Sequence, residues 1–257
     1  MRRVHSAAFL FLLFTGAVFP ACGATAPNLA RLGAKSRAPA SASDVSGDLL
    51  KKYEEESVEE SETIADPLKL WNKTWFHFND KLYFWFIKPV STGYGFLFYP
   101  RVVRVGIRNF IVNLGFPGRF FNNALQGRPI ATASELARFL LNTTLGVVGF
   151  WDPATRLFHL KTHPEDFDQT LGVWRIGMGV YLTWPFMGPS SIRGTFGLLG
   201  DWVFDPVVTT WPIVLLNWLN STSLGENEYE TLLKMALDPY TAIRTGYVQN
   251  RKKLIAE

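Results

Sequence analysis

The sequence predicts an all-α domain, and three observations carry the prediction. Beyond residue 66, apolar residues recur at three- and four-residue spacing, as on one face of a helix. Pro and Gly punctuate these runs, and alternating apolar and polar stretches of the kind a half-buried strand needs are scarce.

The first helix follows Asp66-Pro67, an N-cap and first-turn pairing, and carries Leu68, Trp71, Trp75, Phe78, Leu82, Trp85 and Phe86 before Pro89 ends it. Pro100 opens the second, with Val103, Ile107, Phe110, Ile111 and Leu114 on one side and Arg101, Arg104 and Arg108 on the other. That arginine row reads either as a solvated face or as a row that meets lipid phosphates. Residues 117–125, 129–145, 190–204, 206–219, 226–236 and 239–255 read as further helices.

Ahead of this domain lie two segments of another kind. Arg2 and Arg3 followed by a short apolar run from Ala7 to Phe19 form an export signal, too short to span a bilayer. The signal covers residues 1–21 and ends at Cys22, the only cysteine, so no internal disulfide can form. Phe19-Pro20-Ala21-Cys22-Gly23 is similar to the lipoprotein cleavage box, with Phe19 where an aliphatic residue is usual; the bland alternative is an ordinary signal cleaved near Ala21 or Ala24. Residues 22–62 are rich in Ala, Ser and Pro and end in an acidic run, a composition that reads as a disordered tether. A coil of that length spreads over about 35 Å. The folded domain is then 63–257.

Composition limits what that domain does. Aromatic residues make up 15% of the chain and charged ones only 19%, a greasier balance than a water-soluble core needs. From Thr63 onward, 19 Lys and Arg face 14 Asp and Glu, too mild an excess to argue for nucleic acid, and no nucleic-acid motif accompanies it. Two uncharged stretches, 206–225 and 176–192, are interrupted by Pro, Gly or Asn, so neither reads as an independent transmembrane helix. Amphipathic helices lying side-on in a bilayer fit better.

Catalytic patterns are poor. His159 and His163 precede Glu165, Asp166 and Asp168, but Pro164 breaks any shared helix and the segment reads as a loop, so no metal site is expected. Gly188-Pro189-Ser190-Ser191 lacks the second glycine of a nucleophile elbow, and no phosphate-cradling glycine loop is present. Asp152, Asp201 and Asp205 adjoin helix boundaries, where capping is the default role. No enzyme activity is expected.

Several words of the sequence carry a resemblance. Asp66-Pro67-Leu68, Trp71-Asn72, Asn79 within Phe76-His77-Phe78-Asn79-Asp80-Lys81-Leu82, Asn109-Phe110, Asn122-Asn123, Arg138-Phe139-Leu140-Leu141-Asn142-Thr143-Thr144-Leu145-Gly146, Gln169-Thr170-Leu171-Gly172 and Asp238-Pro239-Tyr240 resemble the MlaA (VacJ) family of outer-membrane lipoproteins, in order, over most of the domain. The resemblance implies a ring of amphipathic helices embedded in the bacterial outer membrane, with a central polar channel and a helical hairpin gate. It implies removal of mislocalised phospholipids from the outer leaflet and their transfer to a periplasmic lipid-binding carrier, with a trimeric porin as partner. The protein would be lipid-anchored, facing the periplasm and embedded in the inner leaflet, with no cofactor beyond the acyl lipid on Cys22. A structural lipoprotein that only organises porins or the envelope is the alternative.

The family's hairpin corresponds to residues 146–179, bounded by Gly146, Gly149, Gly177 and Gly179 as candidate hinges. Within it Arg175 stands where the family usually has glycine and Val180 where it usually has proline; Phe116 replaces a common acidic residue. Arg175 is expected either to face lipid headgroups at the gate or to be a plain surface arginine. The 206–219 helix is expected to form channel wall, with Asn217 and Asn220 turned inward or else capping the helix end.

Overall fold

The structure, a computed structural model, describes residues 64–225 and 229–256. The signal, Cys22, the tether 22–62, the first residue of the domain and the start of the 226–236 helix lie outside the described residues. Twelve helices and one small hairpin are described: α1 (Lys69–Leu82), α2 (Lys88–Leu97), α3 (Arg101–Leu114), α4 (Phe116–Leu125), α5 (Pro129–Thr144), α6 (Pro153–Arg156), α7 (Phe167–Val173), β1 (Tyr181–Trp184), β2 (Gly188–Ser191), α8 (Ile192–Phe204), α9 (Pro206–Thr209), α10 (Trp211–Leu224), α11 (Tyr229–Met235) and α12 (Pro239–Ala256).

Three local expectations need correction. Pro89 does not end the first helix: a π-helical turn at Tyr83–Ile87 joins α1 to α2, and Pro89 sits in the first turn of α2. Proline lacks an N–H and crowds the preceding turn, and a widened turn placed just before it relieves both problems. Asp66 is not the N-cap of α1, because Leu68 holds that position with no side-chain cap. Its carboxylate instead accepts from Asn72 Nδ2 at 2.7 Å, Tyr240 Oη at 2.6 Å and Arg244 Nη1 at 3.2 Å, tying the start of the domain to α12. The 206–219 helix is broken at Thr210 into α9 and α10, with Pro212 in the first turn of α10.

The uncharged 176–192 stretch also departs from an all-helical reading, since it holds an antiparallel hairpin in which Tyr181 faces Ser191 and Trp184 faces Gly188. Asn79 on α1 fixes that hairpin from outside. Its Nδ2 donates to Trp184 O at 2.8 Å and its Oδ1 accepts from Phe186 N at 2.8 Å.

Packing runs in a closed circuit. Through the π-turn α1 leads to α2, α2 packs on α10, α10 on α3, α3 on α4, α4 on α8, α8 on β2, and β2 returns to α1. Helix α12 braces the circuit through α7 and β2. One aromatic cluster, Phe76, Tyr181 and Tyr240, forms the apolar centre where α1, the hairpin and α12 meet.

The distribution of polarity is the reverse of a soluble domain's. Among the described residues, twelve apolar side chains are buried against nineteen polar or charged ones, while thirty-seven large apolar side chains are exposed. Soluble monomers rarely expose contiguous apolar patches of more than a few hundred Å². Phe96, Leu97, Tyr99 and Val102 at the α2–α3 turn, Ile130, Leu136 and Leu140 on α5, and Phe196, Leu199, Trp202 and Val203 on α8 all face outward. Among the described residues no helix is long and apolar enough to cross a membrane.

Candidate functional site

The charged interior includes residues that sequence reasoning passed over, Glu135, Arg193 and Arg251 among them. Glu135 interrupts the apolar pattern of α5 and is completely buried. Its carboxylate accepts from Arg119 Nε at 2.8 Å, from His163 N at 2.6 Å and from the Thr162 hydroxyl at 3.2 Å. One turn on, Arg138 donates to Asp152 at 3.1 Å, to the Thr155 hydroxyl at 2.7 Å and to Leu160 O. The visible signal was a lone acid and a lone base three residues apart within an otherwise uncharged helix, which places both on one face.

A second network joins α7, α8 and α12. Arg193 donates through Nε to Asp168 Oδ1 at 2.7 Å, and Arg251 pairs with Asp166 and with Asp168 Oδ2, the latter at 3.4 Å. Burial opposes the Arg251 charge, but the carboxylates of Asp166 and Asp168 overcome it and hold the guanidinium above its usual range. Asp166 also caps α7 by accepting from Gln169 N at 2.8 Å.

Asp201 corrects its expected role. It lies in the last turn of α8, where Oδ1 accepts from Phe167 N at 2.9 Å and Asn122 Nδ2 at 3.2 Å, so it caps no helix of its own. Burial, and then the neighbouring negative charge of Asp166, push its carboxyl well above the usual range. Asp152 and Asp205 do cap, accepting from Thr155 N and Val207 N. The acids of residues 159–168, which reach into the first turn of α7, are taken up by arginines: Glu165 pairs with Arg128 at 2.6 Å, and Asp166 and Asp168 pair as above. Among the described residues no group of three or more His, Cys, Asp and Glu is placed to hold a metal ion.

The expected family residues are internal ties. Asn142 Oδ1 accepts from Ala154 N at 3.0 Å, and Asn109 Nδ2 donates to Phe150 O at 3.3 Å. Gln169 satisfies both amide atoms when its nitrogen faces Glu165 Oε2 at 2.7 Å and its oxygen accepts from Asp166 N. A Cβ on Gly172 would lie 2.4 Å from Ile255 Cδ1, so a larger residue there would make the Ile255 side chain of α12 move aside.

The 146–179 segment is a turn, the short helices α6 and α7 and an extended loop between them. Gly146 and Gly149 are close-approach positions: a Cβ would sit 2.3 Å from Trp151 O at the first and 2.5 Å from Asn113 Cβ at the second. Gly179 has a left-handed φ of 74°, and Gly177 has open space around it. Arg175 is exposed and left-handed, with a φ of 64°. It terminates α7: its N–H donates to Gly172 O at 2.9 Å while Ile176 N donates to Leu171 O at 3.0 Å, the bond pair of a Schellman cap, whose left-handed position favours glycine. Phe116 stacks on Phe139 with centroids 4.3 Å apart, filling its site with apolar surface.

On α10 the two asparagines differ. Asn220 is completely buried, accepting from the Tyr94 hydroxyl at 3.0 Å and donating to Arg104 O at 3.0 Å, so it joins three helices. Asn217 is half-buried. The arginine row of α3 is likewise not a uniformly solvated face, because Arg104 is half-buried and donates to Ser223 O at 2.6 Å.

Short helices packed in a circuit, charged within and apolar without, define a membrane-associated helical protein whose helices lie amphipathically against lipid. Comparison narrows the class. The model of the family described as MlaA lipoprotein matches residues 64–254, and the chain belongs to that family. The intermembrane phospholipid transport system lipoprotein MlaA of Escherichia coli is 34% identical over 193 residues, covering 72% of this chain and 76% of the relative. Its namesake from Haemophilus influenzae is 27% identical over 198 residues, covering 72% and 77%. A solved structure described as the structural basis for maintenance of bacterial outer membrane lipid asymmetry superposes with a TM-score of 0.65 at 28% identity, over 74% of this chain and 99% of the other.

Proposed function

We propose that this protein sits in the outer membrane, anchored through an acylated Cys22, removes phospholipid misplaced in the outer leaflet, and passes it to a periplasmic lipid-binding carrier. The observation that carries the reading is the inverted polarity. Apolar side chains form the exterior and paired charges fill the interior. A phospholipid headgroup cannot cheaply enter hydrocarbon, so a passage lined by polar groups through the helix circuit lowers its barrier while the tails stay in apolar surroundings. In this reading the work is transport along a concentration gradient or toward a carrier's tighter site, with no bond made or broken. A porin trimer is the natural scaffold, because exposed apolar helix faces can rest against the lipid-facing wall of a barrel.

The test is transfer. Proteoliposomes holding the mature, lipidated protein with its porin should release labelled phospholipid to a purified carrier, and cells lacking the protein should accumulate outer-leaflet phospholipid. Intact transfer without the protein would leave only the structural, porin-organising role.

A further inference from the structure

Beside the second charged network lies an apolar groove of about 580 Å³, walled by Phe167, Leu171, Ile176, Ile192, Phe196 and Leu199. That volume lies within the range of small-molecule sites. Three features make it more than a packing gap. Its mouth is formed by side chains that belong to the exposed apolar surface: Phe196 is 60% exposed, Leu199 55%, Ile176 47% and Ile192 41%. Arg193, 94% buried, also lines it, since only 6% of that residue is accessible. Its Nε and Nη1 serve Asp168 and Ile176 O, while Nη2 has no hydrogen-bond partner. Finally, Gly177 lines the groove with nothing within 4 Å of where a Cβ would stand, so the wall is unfilled at that point.

We propose that the groove is a lateral entry port that takes one acyl chain of a glycerophospholipid, its glycerol end toward Arg193. The inference rests on the phospholipid-transport reading above. If the exposed face of α8 lies in the bilayer, acyl chains are the matter in contact with the groove's mouth, and six apolar walls favour a chain over water. Arg193 Nη2 is closed off from solvent as well as unpartnered, a costly state that an acceptor reaching it through a small shift of the groove wall relieves. Because Asp166 and Asp168 already neutralise Arg193 and Arg251, the polar end of the groove favours a neutral acceptor such as an ester carbonyl over a free anion. The groove thereby joins the lipid-facing surface to the charged interior.

The experiment uses the full mature protein in vesicles of phosphatidylethanolamine and phosphatidylglycerol doped with a phospholipid that bears a photoactivatable diazirine on one acyl chain. Labelling is expected to concentrate on Ile192 and Phe196. Gly177→Trp sets an indole on the groove wall, where a Cβ meets nothing within 4 Å, and should cut that labelling at least fivefold and slow transfer to carrier, whereas Gly93→Trp at another open position should leave both unchanged. Labelling spread evenly over the apolar surface, or undiminished in Gly177→Trp, overturns the port even if wild-type transfer is robust. An equal loss of labelling in Gly93→Trp would be an effect of added bulk alone and also overturn it. A wild type that labels in the groove yet transfers nothing keeps the port and refutes the transport reading instead.

Discussion

Arg175→Gly tests the backbone reading of the departure from the family at this position. Arg175 occupies the left-handed residue of the Schellman cap on α7. For an L-residue with a Cβ that conformation costs about 1–2 kcal/mol. Glycine removes the cost but adds freedom to the unfolded chain, which returns about 0.5–1 kcal/mol. The net expectation is a gain of about 0.5–1 kcal/mol, and for a domain of this size each kcal/mol moves the Tm by about 2–4 °C. Thermal unfolding in detergent, followed by tryptophan fluorescence, should therefore show Arg175→Gly raised by roughly 1–4 °C. Arg175→Ala keeps the Cβ and loses the charge, so it should show no gain. Equal gains in Gly and Ala, or a loss in Gly, would refute the conformational argument and return the position to electrostatics. Transfer measured on the same variants separates the roles: unchanged phospholipid transfer by Arg175→Gly excludes a headgroup-facing charge at the gate.

Further outcomes follow from the same geometry. Gly146→Ala forces a Cβ to within 2.3 Å of Trp151 O and 2.4 Å of Asn142 O, both backbone atoms that cannot swing away, so it should destabilise the whole domain by about 1–3 kcal/mol. If Gly146 acted only as a hinge, the melting point would hold and transfer alone would slow. Asn79→Asp keeps the acceptor for Phe186 N but sets a carboxylate against Trp184 O, and should cost about 1–3 kcal/mol with increased proteolysis at the β1–β2 turn. Asp201 has a pKa raised by burial and by Asp166, so its ionisation is resisted in the fold; wild-type stability should fall as pH climbs from the ordinary carboxylate range through the folded-state pKa. Asp201→Asn keeps an oxygen for Phe167 N and Asn122, and a denaturant series should show that particular decline abolished.

Helix existence was legible in the sequence because periodicity and Pro or Gly punctuation are local properties. Residues 117–125, 129–145 and 239–255 lie close to α4, α5 and α12. The misreadings came where a distant partner decides. Pro89 reads as a stop until a π-turn makes room for it, and Asp66 reads as a cap until Tyr240 and Arg244 claim its carboxylate. The 176–192 stretch reads only as an uncharged segment broken by Gly and Pro, because its strands are four residues each and are held by Asn72 and Asn79 from α1.

Composition alone determined that the chain carries more apolar surface than a water-soluble domain can hide, and its ordered words determined the family. Only the tertiary structure decided which side of each helix faces out. A 3.6-residue period marks two faces without saying which one meets the core, and here Glu135, Arg138, Arg193 and Arg251 occupy the inner face. They can do so because each guanidinium or carboxylate finds an opposite charge supplied by a segment remote in sequence, a pairing that no local pattern encodes.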